Sequence, residues 1–344
     1  PFAAALFKEA NYPKRFVAPV IALGAFTATM DCLPGTPQIQ NIIPTTYFGT
    51  NLYAAPLAGI IGAIIIYGGG IFYLTHRLRH AVANGEGYGN HKINEPEHNE
   101  DMTYVNWKLA VIPLLAVLII NFVITECVVW DPDILTPFQQ MKGVPLVAAK
   151  LKNVVSIWAL IISLVVGIVL ALIVGKREIK SVDRLTKILN AGAIGSLLAI
   201  MNTASEVGYG NVISQLPGFA DVAHFLINIH IGGTPLVSEA ISVTVLAGIT
   251  GSASGGMSIA LELMSQDWLT WAQSIGMGPE ILHRVASMAS GGLDTLPHNG
   301  AVITLLAVCG LSHRESYKDI FAITLMKTFA VFVIILIYSV TGLH

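Results

Sequence analysis

The sequence has 344 residues, of which 54% are apolar and 12% are charged, and its mean hydropathy is +0.67. These values exclude an ordinary soluble domain and indicate a polytopic membrane protein of the all-α class. The net charge of −2 carries little information, and three scattered cysteines without CxxC or metal-ligand spacing predict neither a disulfide framework nor a zinc site.

The first predicted element is a broken helix over residues 16–48. Its apolar run stops at DCLPGTPQ, residues 31–38, where two prolines and several polar side chains interrupt the helical pattern. The uncharged run over residues 52–75 is long enough, at 1.5 Å per residue, to cross a hydrocarbon core of about 30 Å. We interpret residues 1–75 as the end of a first structural repeat.

A polar connector over residues 76–106 leads to a second repeat over residues 107–344. The connector is rich in Gly, Asn and Glu, and we expect a solvated loop. Three spans are predicted at the start of the second repeat, over residues 109–129, 154–175 and 188–207. We expect the third to end in the polar, glycine-rich run 203–210.

Residues 235–265 predict a re-entrant hairpin. The glycine- and serine-rich run 250–256 divides this segment into two apolar pieces, each too short to cross a membrane alone. The hairpin arrangement gathers most Lys and Arg residues on one face and leaves Arg284 on the other, as the positive-inside rule requires. A full span in place of the hairpin satisfies that rule nearly as well.

A second broken helix is predicted over residues 282–311, and a final span over residues 320–341. The segment SGGLDTLPHNG, residues 290–300, puts glycines, a proline and the ionisable Asp294 and His298 at membrane depth. Lipid cannot hydrogen-bond the freed backbone groups, so such a break must be buried in protein or line a wet cavity.

The two breaks share the pattern D-x-L-P, at residues 31–34 and 294–297. With the hairpin between them, the two broken helices run in opposite directions through the membrane. This is the arrangement of inverted-topology repeats.

Three segments, GAFTATMDCLPGTPQIQNIIP, GITGSASGGMSIALEL and SGGLDTLPHNGAVITLLAVCGLSHRESYKDI, together resemble the gluconate permease (GntP) family of bacterial organic-acid symporters. The likeness is greater to the branch associated with short hydroxy acids such as 3-hydroxybutyrate. The resemblance implies two inverted repeats in a multi-pass protein of the bacterial inner membrane, a small organic anion carried with H+, and a homodimer. A complete member has a further segment upstream that includes the first hairpin, so the first repeat is expected to be truncated here.

The resemblance also implies where the substrate binds. It places Ser252 and Ser254 at the hairpin tip, and five further candidate ligands in the two breaks: Thr36, Gln38, Asn41, Thr295 and Asn299. Half-helix N-termini offer free N–H groups and a positive dipole end to a carboxylate. No Arg or Lys lies at a predicted break in the sequence, which argues against an arginine clamp. The alternative is that these small and hydroxyl residues only let helices pack closely.

Asp294, Asp31 and His298 are the candidate proton-coupling residues. A buried carboxylate can load and unload a proton as access alternates, and His298 follows Asp294 by about one helical turn. The alternative is that each aspartate stays ionised and caps the half-helix that follows it. Lys327, within the last predicted span, is expected to extend its side chain to the membrane surface.

Other function classes compete with a symporter. An uncoupled channel and a sodium-coupled transporter share broken helices with it. An intramembrane enzyme is disfavoured because the sequence has neither HExxH nor GxSxG. Nothing in the sequence predicts a cofactor, a metal or a nucleic-acid partner.

Overall fold

The protein is an all-α polytopic membrane protein, as its composition predicts. The computed structural model describes residues 2–91, 93, 95, 106–131, 133–135, 137, 151, 154–176, 179, 181–229, 231 and 233–343. Within these ranges there is no strand, and four helices are long and apolar enough to cross a membrane: Pro56–Ala83, Trp107–Cys127, Ile157–Val174 and His313–Thr341.

The predicted first broken helix is divided into three pieces. The N-terminal elements are α1 (Phe2–Glu9), a 3₁₀ turn (Lys14–Phe16), α2 (Val17–Ala25), α3 (Ala28–Asp31) and α4 (Ile39–Phe48). Between α3 and α4 the chain turns at Gly35, whose φ of +77° is a conformation that favours glycine. The Gly35 N–H donates to Leu52 O at 2.9 Å, which ties the break to the chain beyond α4.

The middle of the chain differs from the sequence prediction at several helix boundaries. It contains α5 (Pro56–Ala83), α6 (Trp107–Phe122) with a π-helical turn (Val123–Cys127), α7 (Val155–Val174), α8 (Val182–Ser214) and α9 (Pro217–Ile227). Residues 76–83 continue α5 and do not belong to a loop. The glycine-rich run 203–210 does not end α8, because single glycines lower helix stability by only about 1 kcal/mol without stopping a helix.

The predicted hairpin corresponds to two packed helices, α10 (Pro235–Thr250) and α11 (Ala253–Ser274). Gly251 makes the turn with φ +66°. At Gly256 a Cβ atom would lie 2.2 Å from Ala247 N, so only glycine permits this approach of the two backbones. The apolar length of α10 is below that of a spanning helix, as a re-entrant segment requires, and re-entry itself stays a prediction.

The two broken helices cross antiparallel. The second consists of α12 (Pro279–Ser290) and α13 (Gly300–Cys309), and α14 (His313–Thr341) follows it. The first half of one broken helix packs against the second half of the other: α2 contacts α13, and α12 contacts α4. Opposite directions are what inverted repeats require. The division of the chain into repeats at residues 1–75 and 107–344 stays a prediction.

Part of the polar connector is docked through ion pairs, although residues 84–85 and 89–90 are exposed, as expected of a solvated loop. Arg15 Nε donates to Glu86 Oε1 at 2.6 Å, and the buried Lys14 donates to Glu95 Oε1 at 2.9 Å. Arg15 also lies 3.5 Å from Asp319 at the start of α14. The connector therefore joins the first residues of the chain to one rim of the helix bundle.

We predict that this docking weakens in acid. The Arg15 hydrogen bond lowers the pKa of the Glu86 carboxyl. For Glu95, burial acts to raise the pKa, but hydrogen bonds from Lys14 and other groups lower it overall. A lowered folded pKa stabilises the docked state above the unfolded value of about 4.3, and this stabilisation is lost as the pH falls through the folded value.

Hydrogen exchange of residues 84–91 measures the docking. Their protection should fall several-fold below about pH 4, and Glu86→Gln combined with Glu95→Gln should cause the same loss at pH 7. Glu9→Gln, at an exposed carboxyl of α1, is the matched control. Unchanged protection in the double variant would contradict the prediction.

Candidate functional site

The hairpin tip meets the second break. His298 Nε2 donates to Gly248 O at 2.9 Å, and the Asn299 amide donates to Gly251 O. Asn299 Oδ1 accepts from Ala301 N at 2.7 Å and so caps α13. One side chain therefore both starts α13 and holds the tip of the hairpin.

A cavity of about 240 Å³ lies where this tip and the two breaks come together. Pockets for drug-sized molecules measure roughly 300–1,000 Å³, so this one suits a smaller solute. Its lining residues are Ala25, Phe26, Met30, Gln38, Ile39, Gln40, Gly251, Ser252, Ala253, Ser254, Asp294, Asn299 and Ala301. Five of the ten predicted site residues are thus brought together: Gln38, Ser252, Ser254, Asp294 and Asn299.

Three helices begin at the cavity wall. Gln38, Ser252 and Asn299 are the N-cap residues of α4, α11 and α13, and all three line the cavity. Ser252 caps α11 by accepting a hydrogen bond from Gly255 N at 3.0 Å. Since the first N–H groups of a helix carry its positive dipole end, three such ends converge on one small space.

Lys327 lies at the second break, and its predicted extension to the membrane surface is wrong. Its side chain is 1% exposed, and Nζ lies 2.5 Å from Asp294 Oδ1 and 2.9 Å from Phe26 O. Phe26 ends α2, so the ammonium meets a carboxylate and the negative end of a helix dipole. These two partners hold the lysine inside the protein.

Arg284, on α12, packs against the first break, and the membrane face to which it is nearer stays a prediction. The guanidinium is fully buried and donates to Asp31 O at 3.1 Å, Ala54 O at 2.8 Å and Asn41 Oδ1 at 3.1 Å. It supplies donors to the carbonyl of Asp31, where α3 stops, and to that of Ala54, in the turn before α5. It is not among the residues that line the cavity.

Asn41 serves the same structural cluster. Its Nδ2 donates to Thr36 O and Leu52 O, each at 3.0 Å, while its Oδ1 also accepts from His283 Nε2 at 3.0 Å. His283 Nδ1 in turn lies 2.6 Å from Thr50 Oγ1. The amide is therefore saturated by the fold, and it is absent from the cavity wall.

Two further predicted ligands are likewise engaged elsewhere. The Thr36 hydroxyl donates to Thr29 O, and the Thr295 hydroxyl pairs with Thr324 Oγ1 at 2.6 Å. Neither residue lines the cavity. The residue types were those of a polar site, but nothing in the sequence tells which side of a break faces the cavity.

The aspartates do not cap the helices that follow them, so the capping alternative is wrong. Gln38 precedes α4, and Asn299 caps α13. The buried Asp31 accepts from Cys32 Sγ at 3.0 Å through Oδ1, and no donor in the described part of the chain reaches its Oδ2. That oxygen faces Gly291 of the second break, where a Cβ atom would lie 2.1 Å away.

The chain was compared with known proteins. It is 48% identical over 352 residues to the "Uncharacterized transporter YxjC" of Bacillus subtilis (strain 168), in an alignment that covers 100% of this chain and 74% of that protein. No protein-family model matches the chain. No solved structure matches it either.

We predict that Arg284→Met destabilises the protein. Methionine leaves Ala54 O without its arginine donor, whereas Asp31 O keeps the Ser287 hydroxyl at 2.9 Å, and a buried group left unsatisfied costs about 1–3 kcal/mol. The Tm of the purified protein in detergent should fall by several degrees. Arg314→Gln, at an exposed position of α14, is the matched control, and an equal Tm for the two variants would contradict the prediction.

Proposed function

The chain belongs to the same family of membrane transporters as YxjC, and from this premise we propose that it imports a small organic hydroxy-carboxylate together with protons by alternating access. The observation that carries the proposal is the convergence of three helix N-termini on one cavity. The proposed membrane is the bacterial inner membrane, and the proposed assembly is a homodimer, as the resemblance to gluconate permeases implies.

An anion suits this cavity better than a cation or a neutral solute. A carboxylate that leaves water needs fixed donors in place of its hydration shell. The first turns of α4, α11 and α13 offer backbone N–H groups and positive dipole ends without placing a cation on the cavity surface. Helix N-termini in broken transporter helices bind substrate carboxylates in this way.

The polar side chains on the wall suit a substrate with a hydroxyl group. Ser252, Ser254 and Gln38 line the cavity, and their hydroxyl and amide groups both donate and accept hydrogen bonds. The volume of about 240 Å³ limits the size of the solute. A hydroxy acid of the gluconate or 3-hydroxybutyrate type combines the required charge, size and hydroxyl.

Of the three candidate proton-coupling residues, Asp294 is the one that lines the cavity. A carboxyl that faces the substrate space exchanges protons with whichever side the cavity opens to. Asp31 is buried behind it, and His298 holds the hairpin tip through Gly248. We therefore propose Asp294 as the proton carrier.

An uptake assay tests the function. The full chain is reconstituted in proteoliposomes and supplied with radiolabelled 3-hydroxybutyrate or gluconate under an imposed proton or sodium gradient. We expect saturable accumulation driven by the proton gradient. Flux without accumulation would indicate a channel, sodium-driven accumulation would contradict proton coupling, and a chemically altered product would indicate an enzyme.

Asp294→Asn should separate coupling from transport. The amide cannot release a proton, so accumulation against a gradient should be lost while exchange of internal for external substrate continues. Asp221→Asn, at an exposed position, is the matched control and should accumulate substrate normally. If Asp294→Asn still accumulates substrate against a gradient, Asp294 is not the proton carrier.

Ser252→Ala should weaken substrate binding. Loss of one hydrogen bond of about 0.5–1.5 kcal/mol corresponds to a several-fold rise in Kd. Ser274→Ala, at the exposed far end of α11, is the control and should leave Kd unchanged. Because Ser252 also caps α11, Tm is measured alongside Kd, and unchanged Kd would argue against a role of the tip in binding.

A further inference from the structure

Four buried charged side chains lie together at the cavity wall and behind it. They are two cations, Lys327 and Arg284, and two carboxylates, Asp31 and Asp294. Asp31 is close enough to interact electrostatically with the other three. With every group in its usual ionised form, the cluster carries no net charge.

Lys327 is the cation of this cluster that reaches the cavity wall. Its two partners, Asp294 and Phe26, both line the cavity, so the ammonium lies directly behind them. Arg284 differs, because its donors are committed to backbone and amide oxygens of the first break. A change in the charge of Asp294 would therefore expose the Lys327 charge to the cavity, and leave Arg284 in place.

A carboxylate that enters the cavity adds a negative charge to a balanced cluster. An uncompensated buried charge is strongly disfavoured away from water. One proton on Asp294 restores the balance, and it also removes the ion-pair partner of Lys327. The negative charge that the substrate adds and the positive charge that the proton adds therefore cancel within this cluster of four side chains.

We propose that Lys327 couples the proton to the substrate by serving as their shared counter-ion. In the empty carrier the Lys327 ammonium pairs with the Asp294 carboxylate. In the loaded carrier Asp294 holds the proton as a neutral carboxylic acid, and the ammonium pairs with the carboxylate of the substrate. On release the substrate leaves, Asp294 returns its proton to water, and the ion pair forms again. This inference rests on the proposed function and adds its stoichiometry and its counter-ion.

The stoichiometry is one proton for each monocarboxylate, and transport is electroneutral. The empty and the fully loaded clusters are both neutral, whereas a cluster with only the proton or only the substrate carries one net charge. Reorientation of a half-loaded carrier would bury that charge at membrane depth. Because only the empty and the fully loaded carriers reorient without burying a net charge, the proton and the substrate cross together.

The other helices packed against α14 add few charges near the pair. Helix α2 carries no ionisable side chain, and α10 carries the buried Glu239. On α5, Tyr73 and Arg77 bind Asp319, which precedes Lys327 by about 12 Å along α14. Helix α12 also packs against α14 and brings the buried His283 and Arg284. Asp31 interacts electrostatically with both members of the ion pair.

Substrate affinity in two variants, Asp294→Asn alone and Asp294→Asn combined with Lys327→Gln, tests the role of Lys327. Wild-type affinity should fall as the pH rises, because Asp294 must be protonated to free the lysine. Asp294→Asn should bind substrate independently of pH, since Lys327 is then always available. Adding Lys327→Gln to Asp294→Asn should weaken binding by at least about tenfold, the contribution expected of a charge-assisted hydrogen bond.

A purely structural ion pair predicts a different result. If Lys327 only fastens α14 to the second break, Asp294→Asn and the double variant will bind substrate with equal affinity, which overturns the proposal. The two amides of the double variant can hydrogen-bond to each other, and Tm verifies that the protein folds. Lys318→Gln, at an exposed position of the same helix, should leave affinity unchanged.

Proteoliposomes with a clamped membrane potential test the stoichiometry. Accumulation at equilibrium should rise about tenfold for each unit of the pH gradient and should not respond to the potential. Accumulation that depends on the potential, or that a sodium gradient drives instead, overturns the counter-ion proposal while leaving transport of an organic acid intact. A wild-type protein that carries no organic acid refutes the proposed function itself.

Discussion

Backbone hydrogen bonding at the two breaks is the constraint on which this structure depends. A helix that stops at membrane depth leaves carbonyls at one end and N–H groups at the other, and lipid satisfies neither. The protein treats the two ends differently. Arg284 donates to the carbonyl of Asp31 in the first break, and Lys327 donates to the carbonyl of Phe26, the C-cap residue of α2. The N-termini of α4, α11 and α13 instead face the cavity.

This division explains how a site for an anion can exist without a cation on its surface. In this structure the two buried cations are paired with carbonyl groups and a carboxylate. Ser252 and Asn299 each cap one N–H group of α11 and α13, and the other N–H groups of these first turns are the donors proposed for a ligand. The two D-x-L-P segments show the difference in detail. Asp294 faces the cavity with Lys327 behind it, whereas Asp31 is enclosed and only its backbone carbonyl binds Arg284. Similar sequence patterns thus produce similar breaks with different chemistry.

The sequence was sufficient to predict the features that depend on local chemistry. Both breaks contain proline, which removes a backbone donor and stops a helix, so their positions were predictable, as was the hairpin turn at Gly251. Glycine alone was a weaker signal, since the glycine-rich run 203–210 lies inside α8. Contacts between residues that are distant in the chain were not predictable. Arg284 binds the carbonyl of a residue 253 positions away, and nothing near residue 284 indicates that pairing. A lone lysine in an apolar helix usually extends to the membrane surface, and the sequence does not show that Asp294, 33 residues away, holds Lys327 inside. Thr36, Asn41 and Thr295 have the residue types of ligands, but packing turned them toward backbone groups.

The close approach of the α10 and α11 backbones at Gly256 limits how the hairpin can move. Because the backbones of α10 and α11 touch there with no side chain between them, the two arms cannot slide past each other without a steric clash. Trp268 Nε1 donates to Ser238 Oγ at 3.2 Å and bridges the arms farther from the tip. A displacement of the tip away from the second break is therefore expected to carry both arms together, as one unit.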